Sequence, residues 1–128
     1  AEGLITRGEW VKGWLSTHVL DLSSGNPAGG LKIELHYYRA SGPELILETM
    51  TNNNGRTDSP LLEGKHFING VYELSFHIGL YFRNKIESLP QELFLNVVPI
   101  RFGVNDSTDH YHVPLLVSPY GYSTYRGS

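Results

Sequence analysis

No cysteine occurs in the chain, so disulfides and thiolate metal sites are excluded. No apolar run approaches the roughly 20 residues of a bilayer-spanning helix, and no lysine-flanked apolar stretch resembles a secretory leader. Charge is scarce as well. Charged residues make up 18% of the sequence and the formal net charge is -3, which argues against nucleic acid and anionic membrane partners. There is no Gly-x-Ser-x-Gly elbow, no phosphate-binding loop and no dinucleotide fingerprint, so α/β-hydrolase and nucleotide-binding readings fail. No repeat, linker or low-complexity block divides the 128 residues, which suit one domain. A domain of this size buries roughly two thirds of its unfolded surface and needs no staple.

What is present is period-two alternation. Leu31, Ile33, Leu35 and Tyr37 alternate with Lys32, Glu34, His36 and Tyr38. Tyr72, Leu74, Phe76 and Ile78 alternate with Glu73, Ser75 and His77. Both segments read as half-buried strands. Further strands are expected over 14–20, 45–50, 93–102, 111–118 and 120–125, with a short one after Arg56. Turn clusters separate them, such as Ser41-Gly42-Pro43 and Asn52-Asn53-Asn54-Gly55. The expectation is an all-β antiparallel sandwich of seven or eight strands. Pro99 implies an edge or a bulge in its strand. One short helix is expected over 79–88, closed by Pro90, and residues 1–13 read as an extension before a domain spanning 14–128.

Alternation also sorts faces. If Val19, Val113 and Val117 point inward, then His18, His112 and Tyr125 point outward. That outward face still carries Leu20, Pro114 and Leu116, an apolar content suited to cover by another subunit. His18 and His112 stand out among six histidines because apolar strand neighbours flank them, and imidazole suits proton transfer near neutral pH. His110 and His112, at i and i+2, share one strand face and could pair on zinc, but a third ligand is not diagnosed. Arg56 follows an Asn-Gly step that suits a tight turn between strands. From a sheet end its guanidinium could hold an oxyanion or a planar urea-like group, although an exposed turn arginine is the simpler reading. The chain ends Tyr125-Arg126-Gly127-Ser128 with no polar tail beyond a strand-like segment, so these residues are expected to be held and used.

Three segments carry a resemblance. They are Leu15-Ser16-Thr17-His18-Val19-Leu20-Asp21 with Gly25-Asn26-Pro27-Ala28, then Thr51-Asn52-Asn53-Asn54-Gly55-Arg56, and the run from His110 through Tyr111-His112-Val113-Pro114 to Tyr125-Arg126-Gly127-Ser128. Together they resemble the transthyretin-related 5-hydroxyisourate hydrolases. The resemblance implies a transthyretin-like sandwich of two four-stranded sheets with one short helix. It implies a homotetramer with active sites at the mouths of a central channel, no cofactor, and hydrolysis of 5-hydroxyisourate in urate breakdown. It assigns His18, Arg56, His112 and Ser128 to catalysis, and His18, Arg56, Tyr125, Arg126 and Gly127 to substrate binding. Transthyretin itself, a hormone carrier, has lysine, glutamate and threonine at the positions of His18, Arg56 and His112. Competing readings are such a carrier, a structural sandwich module, and a zinc hydrolase using His110 and His112. A cytoplasmic location is expected, with periplasm and peroxisome as alternatives.

Overall fold

The computed structural model describes residues 12–128, so most of the expected extension, residues 1–11, lies outside the described residues. The elements in order are β1 (Trp14–Asp21), β2 (Asn26–Pro27), β3 (Lys32–Arg39), β4 (Gly42–Met50), β5 (Leu62–Glu63), β6 (Gly70–Phe76), α1 (Ile78–Arg83), β7 (Val98–Val104), β8 (His110–Ser118) and β9 (Gly121–Thr124). They form two sheets, one ordered β2-β1-β8-β9 with β5 also on β1, the other β4-β3-β6-β7.

The inward stripes of both sheets make the core. Leu15, Val19, Leu115 and Val117 from the first sheet meet Ile33, Leu35, Leu74 and Phe76 from the second, all fully buried. Each such side chain contributes roughly 1.5–3 kcal/mol of transfer free energy. The expected sandwich is therefore present, with differences in detail. The first sheet has five strands because two short ones, β2 and β5, share the same edge of β1. The ladder β1–β8 is parallel rather than antiparallel, running from Trp14↔His110 to Asp21↔Val117. Alternation reports which face a residue occupies and is blind to strand direction.

The strand expected over 93–102 begins only at Val98. Residues before it serve the helix instead: the Asn96 carbonyl accepts from Gly79 N–H at 2.9 Å. Pro99 does lie on an edge strand, β7. Gly42 and Pro43 start β4 rather than forming a turn, with Gly42 at φ +120°. The helix stops at Arg83, where Asn84 N–H turns back to Tyr81 and Lys85 N–H to Phe82 in tighter three-residue turns. No strand follows Arg56 directly; β5 starts six residues later, at Leu62.

A polar anchor fixes α1 to the end of β1. Asp21 is buried, and its carboxylate accepts from Tyr81 Oη at 2.9 Å and from Ser23 N–H and Oγ–H at 2.8 and 2.6 Å. Burial pushes the Asp21 carboxyl up, but the hydrogen bonds outweigh it and hold the group below its ordinary range. The Tyr81 phenol is pushed up to about 12 by burial and by the neighbouring carboxylate. A depressed carboxyl contributes stability above its unfolded pKa and loses it as the pH falls through the folded one. Tyr81→Phe is expected to cost about 1.5–3 kcal/mol at neutral pH. Urea unfolding should show that deficit shrinking as Asp21 becomes protonated in acid.

Candidate active site

Parallel pairing brings two distant segments side by side. Ser16 stands opposite His112 and His18 opposite Pro114. On β1 the outward side chains are Trp14, Ser16, His18 and Leu20, all half-buried, while Leu15, Thr17 and Val19 are buried inside. Thr17 satisfies its inward hydroxyl by donating to the Val113 carbonyl at 2.8 Å. His18 and His112 thus share the outer face of the first sheet.

Arg56 reaches the same face by a route the sequence did not suggest. The Asn-Gly step is a tight turn but joins no hairpin. Asn52 Oδ1 accepts from Asn54 N–H at 2.9 Å and from Arg56 N–H at 3.3 Å. The turn then docks on the edge of β1 between β2 and β5, where Val19 N–H donates to the Gly55 carbonyl at 2.8 Å. Gly55 has φ +73°, and a Cβ there would lie 2.4 Å from the Val19 carbonyl oxygen. Only glycine meets both demands. Arg56 follows immediately and is exposed beside His18 and His112. A cleft of about 190 Å³ lies on the Trp14 side of Arg56, lined by Trp14, Ser16, Arg56 and Asp58 among others; neither His18 nor His112 lines it.

The charge distribution follows from this packing. Burial and the Arg56 guanidinium hold the His18 imidazole below its usual range, against a hydrogen bond to the Asn54 backbone that raises it. Burial, Arg56, His110 and His18 all lower His112. Both imidazoles are therefore held neutral at neutral pH, with a lone pair free to accept a proton.

The terminal tetrapeptide runs back along β8. The bridge His112↔Gly127 lies in the same register as Leu115↔Thr124 of the β8–β9 ladder. The interruption between them falls opposite Pro114, which lacks an N–H. Pairing resumes when Gly127 N–H donates to the His112 carbonyl at 2.7 Å. A methyl at Gly127 would lie 2.5 Å from His112 Cδ2, so this glycine is packed against the imidazole ring. Tyr125 follows β9, is 61% exposed, and lines a cavity of about 230 Å³ together with Tyr111, Val113, Phe102 and Arg126. Arg126 points to the face opposite the His112 ring. Its guanidinium sits 4.0 Å from the Tyr111 ring centroid and donates to the His110 carbonyl at 3.2 Å. Ser128 follows Gly127 and is exposed.

His18, Arg56, His112 and Gly127 thus converge, and Arg126, which lines a cavity with Tyr125 and Tyr111, clamps the tail from behind. Sequence reasoning missed two neighbours. Ser16 Oγ lies 2.8 Å from His112 Nδ1 and 2.9 Å from His110 Nε2. Trp14 stacks on His110 with centroids 4.3 Å apart. The signal available was the i, i+2 relation of Trp14 and Ser16 to His18; the register with β8 was not readable. Among the described residues no group of three or more His, Asp or Glu side chains is placed to hold a metal ion.

Residues 15–127 match the HIUase/Transthyretin family. The chain belongs to that family. It is 56% identical over 116 residues to 5-hydroxyisourate hydrolase 2 of Rhizobium meliloti, covering 91% of this chain and 97% of that protein. It is 53% identical to the 5-hydroxyisourate hydrolase of Pseudomonas aeruginosa, covering 91% and 92%. Among solved structures, Klebsiella pneumoniae 5-hydroxyisourate hydrolase superposes with a TM-score of 0.70 at 32% identity, over 90% of this chain and 99% of that one. Sea bream transthyretin in complex with thyroxine superposes at 0.79 with 29% identity, over 88% and 93%. (S)-allantoin synthase gives 0.86 at 45% identity; the match covers 91% of this chain and 44% of that longer one. The expected transthyretin-like fold is therefore present.

Gly127→Ala should displace the His112 ring or lift the tail. The expected outcome is a shifted His112 imidazole resonance in NMR spectra. Gly103→Ala, where an added methyl meets nothing within 4 Å, should leave that resonance in place.

Proposed function

We propose that this protein hydrolyses 5-hydroxyisourate, opening a ring amide to give 2-oxo-4-hydroxy-4-carboxy-5-ureidoimidazoline in urate degradation. The observation that carries this reading is the convergence of two neutral imidazoles and a guanidinium on one sheet face, in a chain whose full-length relatives are named for that reaction. An amide hydrolase needs an activated water, a stabiliser for the oxyanion and a proton donor for the leaving nitrogen. His112 takes the proton from water. Burial, reinforced by like-charge repulsion from Arg56, keeps that imidazole neutral, and Arg56 offers paired donors to the carbonyl oxygen. His18 shares the proton traffic from the adjacent strand. Tyr125 contacts the planar substrate, and Ser128, through its hydroxyl or the terminal carboxylate, orients the water. Arg126 and Gly127 hold the tail and the His112 ring in place.

A thyroid-hormone carrier is the competing reading, and the TM-score to sea bream transthyretin exceeds that to the Klebsiella hydrolase. Backbone similarity does not decide function; the site does. A face bearing His18, His112 and Arg56 suits proton transfer on a polar heterocycle better than retention of an apolar hormone. Leu20 and Leu116, half-buried on the same face, support association of subunits into a homotetramer with the site where protomers meet, whereas Pro114, expected to belong to that apolar face, is already buried within the chain. Among the described residues no helix is long and apolar enough to cross a membrane; a cytoplasmic location accompanies this reading.

The test is the loss of near-ultraviolet absorbance of freshly generated 5-hydroxyisourate, measured against its spontaneous decay. His112→Asn should lower kcat by about 100-fold or more, the lower bound of acid–base assistance. Unchanged turnover would remove His112 from the reaction. The pH profile carries a second expectation. Because burial and then Arg56 depress His112 and His18, the acidic limb of kcat/KM should lie below the ordinary histidine pKa of about 6.5. Arg56→Gln should move that limb to higher pH, while Arg56→Lys should leave it near its original position.

A further inference from the structure

The hydroxyl that bridges two imidazoles has one proton to donate. When Ser16 Oγ–H donates to His110 Nε2, it must accept from His112 Nδ1–H, and the converse holds when it donates to His112. In either arrangement the two ring nitrogens facing Ser16 hold complementary protonation states. With His112 protonated at Nδ1, its Nε2 carries the free lone pair that a base requires. We propose that Ser16 is a positioning residue that joins His112 to His110 in a proton relay, with Trp14 stacked on His110 to hold its far end. This rests on the hydrolase reading above.

The relay lets one histidine act first as base and then as acid. His112 Nε2 takes a proton from water as the water oxygen bonds to the carbonyl carbon. The Nδ1 proton passes to Ser16 Oγ, and the hydroxyl proton passes to His110 Nε2. The positive charge then rests on His110 instead of on the ring nearest Arg56. When the adduct collapses and the C–N bond breaks, His112 Nε2–H protonates the leaving nitrogen and the two shifts run back. No proton is gained or lost by the protein over the cycle.

The surroundings of the two rings differ in a way that fits this division. Burial opposes a charge on His112, and Arg56, His110 and His18 oppose it further. Burial and the Arg126 guanidinium oppose a charge on His110 too, but it faces one like charge where His112 faces three. That guanidinium lies 3.9 Å from Asp109, and the indole of Trp14 covers the imidazole face with ring planes at 23°. An aromatic face attracts a cation placed over it. His110 is thus the better resting place for the transferred charge. Alternation places Ser16 and His18 on one strand face, so the relay sits beside the second imidazole without blocking it.

The test combines kinetics with histidine 15N NMR on the unliganded protein. Ser16→Ala should lower kcat about 10- to 100-fold with little change in KM, a part of the roughly 100- to 10,000-fold that acid–base assistance supplies. It should also shift the acidic limb of the pH profile, and Ser16→Thr should restore both. The double variant Ser16→Ala with His110→Asn should be no slower than Ser16→Ala alone, because both changes break one chain. In NMR, the His112 Nδ1 resonance should move in Ser16→Ala and return in Ser16→Thr. Wild-type turnover in Ser16→Ala, multiplicative losses in the double variant, or an unmoved His112 Nδ1 resonance would overturn the relay. A wild-type protein that leaves 5-hydroxyisourate untouched would overturn the hydrolase reading alone, and the NMR result would still decide whether Ser16 couples the rings.

Discussion

Everything at the site depends on the parallel ladder between β1 and β8. Eight residues of each strand are paired without a shift, and the register sets Ser16 beside His112 although 96 positions separate them in the chain. A slip of one residue would turn every outward side chain inward. Two observations show why the register is fixed. Leu15, Val19, Leu115 and Val117 are fully buried on the inner side. Thr17 adds a directional bond to the Val113 carbonyl. The hydrophobic core thus specifies the arrangement of the candidate site on the opposite face of the same sheet.

Two irregular segments complete what the sheet begins. The turn over 52–56 needs glycine at position 55 because β1 backbone lies against it, and this contact delivers Arg56. The tail needs glycine at position 127 because the His112 ring lies against it. In both places a residue without a side chain lets backbone approach closely, and a functional group stands next to the contact. Arg126 adds the clamp, stacking on Tyr111 from the other face. Burial, and after it the gathering of imidazoles and a guanidinium, raises the cost of charging His18 and His112 and keeps them in the form a base requires.

Much of this was legible in the sequence. Alternation gave the sandwich, the inward Val19, Val113 and Val117, and the outward His18 and His112. Pro99 marked an edge strand. The family motifs named Arg56 and the terminal residues. Strand direction was not legible, because period-two patterning is the same for parallel and antiparallel neighbours. For that reason Ser16 and Trp14 went unnoticed: their importance lies in what stands opposite them. His110 was weighed as half of a zinc pair, whereas its ring bonds Ser16 and stacks on Trp14. The loop over 93–97 carries strand-like residues but is drawn into contact with the start of α1, a tertiary effect that local pattern cannot report.

The most direct measurement is a crystal structure of the assembled protein with a bound planar cyclic ureide that mimics the substrate but lacks the scissile amide. The ligand should lie on the outer face of the first sheet, hydrogen-bonded to Arg56 and with its reacting carbon position beside His112 and His18. A ligand seated elsewhere, with those three side chains pointing away from it, would contradict the hydrolytic site.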